Sequence, residues 1–380
     1  MVSTASTIWI IAGEESGDVY GARLAQALAA ARPGVTLRGM GGRQMAAAGV
    51  DLLVDSTELA IVGLVEVIRH LPTIRQAFSV LLRSAAEARP DAVVLIDYPG
   101  FNIRLASRLH AMGIPVVYYV SPQVWAWKKG RRHRIAATVD KLLCIFPFEP
   151  DVYSDTPLDV EFIGHPLLEI LAEKRDERLV REPDTVLLLP GSRRSELERL
   201  LEPFIATARE LARQRPSLRF VLTQPREALA QFARERISSL DSEEDLDIRV
   251  EVGRTHEWMQ RASAGLAASG TVTVEAAILG LPLVVAYRLH WLTYLLARMI
   301  VKLPYFTMVN LVAGREVFAE FSQGSVNAGT LSAALGAILP GGSRREQVLA
   351  GLTETVALLG GGGQVSALAA ARVLAVADGG

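Results

Sequence analysis

Short apolar runs alternate with amphipathic helical patterns along this chain, and the alternation runs twice. That rhythm constrains the fold most. Strands joined by helices must lie parallel, and a parallel sheet needs helices on both faces. Thr7–Ala12, Val35–Arg38, Val50–Val54, Ala92–Ile96, Pro115–Val120, Lys141–Ile145 and Val160–Ile163 read as strands of a first series. An amphipathic helix is predicted over Val65–Ala88, broken near Pro72. Val160-Glu-Phe-Ile-Gly-His-Pro-Leu167 and then the charged stretch Glu173–Asp184 read as a domain boundary, and the alternation restarts at Thr185, with Arg219–Leu222, Ile248–Val252, Ala264–Ala268 and Leu283–Ala286 as further strands. At 380 residues the chain is too long for one core of usual size. The expected architecture is two doubly wound α/β domains, 1–175 and 185–360, followed by a terminal helix within 364–380. The glycines Gly360–Gly363 free that helix to pack back on the first domain. Such sheets bind ligands at the carboxyl ends of their strands, so a cleft shared by the two domains is the expected active site.

The net charge of −1 gives no overall attraction to nucleic acid, and no nucleic-acid-binding module is recognisable. The single cysteine, Cys144, excludes an intramolecular disulfide and suits a reducing compartment. No basic residue precedes the apolar Ile8–Ile11, so no signal peptide is expected there. Uncharged apolar runs fall short of the ~18 residues that span a bilayer. A soluble or at most peripheral protein is predicted.

Several turns carry candidate chemistry. Gly13-Glu-Glu-Ser-Gly-Asp18 follows the first strand, but its glycines lack dinucleotide-binding spacing and its acids would repel a pyrophosphate. It suits contact with sugar hydroxyls, or helix capping by Ser16 and Asp18. Asp97 closes the strand Ala92–Ile96, where a general base would be placed; it could equally cap the helix that Asn102 begins. Leu189-Pro-Gly-Ser-Arg193 is a strand, a breaker and a helix start with two arginines, Arg193 and Arg194. Backbone N–H groups there attract anions. Ser269, Gly270 and Thr271 form a second such turn, and Glu275 one turn on suits a ribose diol or a capping box. Trp125 and Trp127 lead into the basic cluster Lys128–Arg134, either a solvated helix face or an interfacial patch. Asp245-Leu-Asp247 formally matches a D-x-D metal motif but sits in an acidic loop, and no metal site is expected.

Taken in order, these stretches resemble the lipid-A-disaccharide synthase family, glycosyltransferases of the GT-B type. The match runs through Gly13–Asp18, Asp97-Tyr-Pro-Gly-Phe-Asn102, Tyr119–Trp127, Phe162-Ile-Gly-His-Pro166, Leu189–Arg193, Ala268–Thr271 with Glu275, and Asn310-Leu-Val-Ala-Gly-Arg315. The resemblance implies transfer of 2,3-diacylglucosamine from UDP to the 6-hydroxyl of 2,3-diacylglucosamine 1-phosphate, giving a β-1,6 disaccharide phosphate and UDP. It also implies an acceptor-binding N-terminal domain, a UDP-binding C-terminal domain, inversion, and no metal or other cofactor. On that basis Asp97 is the expected base and Arg193 the diphosphate arginine. Gly191, Ser192, Ser269, Gly270, Thr271, Glu275 and Asn310 are assigned to the donor, and Glu15, Ser16, Asp18, Asn102 and Trp125 to the acceptor side. Gly100 stands where the family often has Asp, and Val309 where proline is common. Acylated substrates imply peripheral contact with the cytoplasmic face of the inner membrane. The apolar and aromatic segment Tyr287–Phe306 would serve as membrane contact, acyl-chain site or homodimer interface. A UDP-sugar 2-epimerase and a non-catalytic nucleotide-binding module are the alternatives.

Overall fold

A computed structural model describes residues 6–58, 71–126, 130–240, 246–289, 303–360 and 364–379. They divide into two compact units, Met1–Pro166 with Gly362–Gly380, and Leu167–Gly361.

The first unit is built on a seven-stranded sheet, ordered β3-β2-β1-β4-β5-β6-β7. Its strands are β1 (Thr7–Ala12), β2 (Thr36–Gly41), β3 (Asp51–Asp55), β4 (Ala92–Ile96), β5 (Val116–Tyr119), β6 (Lys141–Cys144) and β7 (Asp159–Phe162), all paired in parallel. β4 is buried along its whole length, and β1 beyond its first residue, as expected of central strands covered on both sides. Trp9, Ile11, Val93 and Leu95 pack with Leu81 and Ala85 of the helix Leu71–Ala88 and with Leu105 and Leu109 of the helix Pro99–Ala111. The described helix begins at Leu71 with Pro72 in its first turn, and the predicted residues 65–70 lie outside the described residues.

The C-terminal helix Val365–Ala377 belongs to this unit and packs along the helix Glu15–Ala31 and over β4 and β5. It buries Val365, Ala369, Ala370, Val373 and Leu374. Two ion pairs fasten it, Arg32 to Asp378 at 2.6 Å and Arg372 to Glu161 at 2.8 Å.

The second unit holds a six-stranded parallel sheet, ordered β10-β9-β8-β11-β12-β13. Its strands are β8 (Glu182–Leu189), β9 (Arg219–Gln224), β10 (Ile248–Val252), β11 (Ala262–Ala268), β12 (Leu283–Tyr287) and β13 (Ala319–Ser322). β13 was not anticipated, because a half-buried edge strand of four residues has no continuous apolar run. The division between units falls at Pro166, within Val160–Leu167 and ahead of the charged stretch. The reason lies in where that stretch is tied. The helix Leu167–Ala172 packs on the helix Thr271–Ile278, and Arg181 donates to the carbonyls of Met259, Ala262 and Leu279 at 3.0, 2.6 and 2.5 Å. A run of charges that resembles a solvated linker is thus hooked onto the second sheet.

Among the described residues, no helix is long and apolar enough to cross a membrane. The interfacial segment predicted at Tyr287–Phe306 falls largely on 290–302, outside the described residues, as do Trp127, Lys128, Lys129 and Asp245.

Candidate active site

Each sheet has one place where its strand order reverses, and the candidate turns lie there. In the first unit β1 leads to β2 on one side, while its other neighbour β4 leads to β5. Adjacent strands whose connections diverge leave a crevice at their carboxyl ends. Ala12 pairs with Ile96, so Gly13–Asp18 and Asp97–Asn102 border that crevice together. Gly13 is required by the approach of Tyr98, whose ring carbon Cδ1 would sit 2.3 Å from an added Cβ.

Asp97 and Tyr98 adopt left-handed backbone, with φ of 43° and 46°. Such conformations cost a non-glycine residue roughly 1–3 kcal/mol each and persist only when their surroundings impose them. Here the imposition is visible. Tyr118 Oη donates to the Asp97 carbonyl at 2.6 Å, and Asn102 Nδ2 donates to the carbonyls of Asp97 and Ile96 at 2.9 and 3.1 Å. Burial, reinforced by the negative charge of Glu14, raises the Asp97 carboxyl to about 7. A carboxyl poised there is deprotonated near neutrality yet basic enough to take a hydroxyl proton.

Two acceptor-side residues also carry structural bonds. Asn102 is wholly buried and donates its amide N–H groups to the strand end, which shapes the Asp97 turn, while its Oδ1 has no partner among the described residues. The helix begins at Pro99, not at Asn102. The Asp18 carboxylate accepts from the backbone N–H of Gly42, Gln44 and Met45 at 2.7, 3.0 and 3.1 Å. It therefore caps the neighbouring helix Arg43–Ala47. Glu15 and Ser16 remain at the surface of the turn. Trp125 is half-buried, edge-on to Phe148 at 5.1 Å between ring centres, and lines a cavity of about 360 Å³ with Arg132 and Asp155.

One residue beneath this surface was missed. Glu149 is buried and accepts from the N–H groups of Phe146 and Ile145 at 3.0 and 3.2 Å, both through Oε2. Burial pushes its carboxyl up to about 8. An acid directly after the apolar run Leu142–Phe148 was the available signal. Nearby His165 packs against Phe146, and burial lowers it to about 3, so it is neutral at ordinary pH.

In the second unit the order reverses between β8 and β11, and Leu189 pairs with Ala267. The turns Pro190–Arg193 and Ser269–Thr271 therefore start their helices side by side at the carboxyl edge. Gly191 has φ of 110°. Arg193 caps the helix Arg194–Gln214, and the backbone N–H groups of Ser192 and Arg193 donate to Glu196 at 3.0 and 3.2 Å. This qualifies the expectation of free anion-binding donors, because a carboxylate of the helix itself occupies them. The Arg193 guanidinium is exposed and only loosely held, 3.5 Å from Glu196. Arg194 turns away, to Glu198 at 3.1 Å and over the Phe232 ring. Gln224, at the end of β9, donates to the Gly191 carbonyl at 3.2 Å and supports the turn.

Ser269, Gly270 and Thr271 lie open at the start of the helix Thr271–Ile278, with Thr273 Oγ1 donating back to the Gly270 carbonyl at 2.8 Å. Glu275 faces His256 at 3.2 Å and makes no capping box. Asn310 also holds the fold together. It is fully buried and saturated, donating to Phe318 O and Glu320 and accepting from the N–H groups of Val317 and Phe318. These bonds fold the loop before β13. A larger cavity, about 880 Å³, opens at the opposite edge of the sheet near Thr185 and Arg219, where the strands begin. It contains none of the predicted site residues. Among the described residues, no cluster of three His, Cys, Asp or Glu side chains could hold a metal.

The model of the family described as lipid-A-disaccharide synthetase matches residues 8–365. The chain belongs to the lipid-A-disaccharide synthetase family. A lipid-A-disaccharide synthase of Anaeromyxobacter dehalogenans (strain 2CP-1 / ATCC BAA-258) is 40% identical over 363 residues, 93% of each chain. Among solved structures, the S. aureus MnaA–UDP co-structure superposes with a TM-score of 0.64 at 13% identity, covering 97% of this chain and 95% of that one. A UDP-glucosyltransferase from Polygonum tinctorium gives 0.65 at 13% identity, with both chains covered completely. Those two likenesses concern the fold, which is of the GT-B type. Membership in the lipid-A-disaccharide synthetase family makes the chain a glycosyltransferase of lipid A biosynthesis.

Proposed function

We propose that the chain transfers 2,3-diacylglucosamine from its UDP carrier to the 6-hydroxyl of 2,3-diacylglucosamine 1-phosphate in a single inverting displacement. Asp97 takes the acceptor hydroxyl proton as that oxygen bonds to the anomeric carbon. The bond from that carbon to UDP breaks, and UDP departs with the electron pair. The product is a β-1,6 disaccharide 1-phosphate. Arg193, with the N–H groups of Ser192, Arg193 and the Ser269–Thr271 turn, stabilises the departing diphosphate, so the reaction needs no bound metal. Glu275 receives the ribose diol, and Glu15, Ser16 and Trp125 meet the acceptor.

The observation that carries the reading is Asp97 itself, a carboxyl raised to about 7 on an imposed left-handed turn at the switch point of its sheet. The donor assignment draws on the paired helix starts at the second switch point and on the UDP present in the MnaA co-structure. Acylated substrates place the enzyme at the cytoplasmic face of the inner membrane, with 287–306 and the basic cluster after Trp125 as its contacts.

The test is turnover of defined acyl-UDP donor and acylated sugar phosphate, with products resolved by mass and the linkage by NMR. Formation of the β-1,6 disaccharide phosphate, with full activity in excess chelator, is the expected result. Epimerisation of UDP-GlcNAc supplied alone, without transfer, would refute the reading.

A further inference from the structure

Glu275 is linked to Lys174 through one histidine. His256 Nε2 lies 3.2 Å from Glu275 Oε2, and His256 Nδ1 lies 3.3 Å from Lys174 Nζ. They come from different pieces of the second unit: the segment after the helix Leu167–Ala172, the helix Thr255–Arg261 and the helix Thr271–Ile278. A lysine ammonium has donors only, so Nδ1 must accept from it. The proton of the neutral imidazole is then on Nε2, which donates to Glu275. Lysine thus sets the tautomer, and the tautomer aims the carboxylate.

The arrangement is held by backbone anchors. Gln260, one turn beyond His256, donates to the carbonyls of Lys174 and His256 at 3.0 and 3.1 Å and accepts from the Asp176 N–H at 2.9 Å. Glu275 and His256 side chains are 21% and 29% exposed, so the pair is reachable by a ligand and still shielded. The imidazole contact falls on Oε2, which leaves Oε1 for an incoming hydroxyl.

We infer that His256 is a positioning residue that holds the Glu275 carboxylate toward the ribose diol of the donor, making it a determinant of ribonucleotide over deoxyribonucleotide recognition. The inference rests on the reading of Glu275 as the ribose contact. Without His256 the carboxylate is free to rotate, and the cost is confined to ligands that carry the diol.

Titration calorimetry with UDP and with 2′,3′-dideoxy-UDP tests this on the full chain, with melting temperatures confirming that each variant is folded. His256→Ala is expected to weaken UDP about tenfold, the scale of one hydrogen bond to a charged group, and to change dideoxy-UDP less than twofold. His256→Gln, whose amide N–H can replace Nε2–H, should recover most of the loss. An equal loss for both nucleotides in His256→Ala would show that the residue only supports the helix, and no loss for either would overturn the inference as well. Glu275→Ala separates the two levels. If it keeps full discrimination for the diol, the ribose reading itself falls. If discrimination is lost in Glu275→Ala but retained in His256→Ala, the inference alone falls.

Discussion

Asp97 and Glu149 are two carboxyls that the first unit keeps protonated well above their ordinary range, to about 7 and about 8. Their usual values are 3.8 and 4.5, so between those limits the folded chain binds protons the unfolded chain has released. Stability present at low pH is therefore lost as pH rises through about 7 and 8. Glu149→Gln removes its share of that loss while its side-chain oxygen still accepts both N–H groups. Its melting temperature should exceed the wild type at pH 9 and converge with it near pH 4.5; a constant offset would mean the carboxyl is ionised throughout. Asn310 is the opposite case, a polar group that works only by being saturated. Asn310→Ala strands a buried carbonyl and two buried N–H groups, and should cost about 2–4 kcal/mol in urea unfolding. A change within the error of wild type would mean the loop before β13 holds without it. These residues also mark what a sequence conceals. Asp97 stands out because it ends an apolar strand. Nothing in the letters distinguishes Asn310 or Asn102 as internal supports from residues that touch a ligand, since hydrogen-bond saturation depends on partners brought by the fold.

At the scale of elements, strand–turn–helix units were the most legible part of the chain. β1, β4, β9, β10, β11 and β12 follow continuous or alternating apolar runs, and their turns begin where Gly, Pro and Ser interrupt them. What sequence could not supply was the state of the helix N-termini. The turn after β8 has the composition of an anion site, yet Glu196 already accepts from Ser192 and Arg193, and its Oε2 lies 2.2 Å from where a Cβ on Gly191 would stand. A diphosphate entering this turn has to displace that carboxylate. Glu196→Gln retains an acceptor for the capping box but removes the competing charge. UDP should bind it several-fold more tightly, measured by calorimetry at low ionic strength. Weaker binding would mean the carboxylate organises the turn for the ligand instead of competing with it.

Across the whole molecule, two parallel sheets were readable from the doubled strand–helix rhythm, and the division at Pro166 lies in the stretch Val160–Leu167 that reads as the start of the boundary. Composition marked the charged stretch 173–184 as the rest of that boundary, and backbone carbonyls capture Arg181 and draw the stretch into the second unit. The last helix returns to the first unit through small apolar side chains and the Arg32–Asp378 and Arg372–Glu161 pairs. The pairs are partly exposed and contribute little, so burial of Val365, Ala369, Ala370, Val373 and Leu374 dominates. Truncation after Leu359 should cost the first unit ~5 kcal/mol and expose an apolar face. Its unfolding transition should move to lower temperature, and an unmoved transition would show that the helix only rests there.

The account depends most on Asp97 as the base of sugar transfer. Its direct measurement is the single-turnover rate with acyl-UDP donor and acylated sugar phosphate, followed from pH 5.5 to 9 for wild type and Asp97→Asn. Wild-type transfer should rise about tenfold per pH unit and level off above about 7, where the carboxyl is ionised. Asp97→Asn, folded and still binding UDP, should be slower by about 10³ and lose that dependence. A variant within tenfold of wild type, or one that keeps the same pH profile, would contradict it.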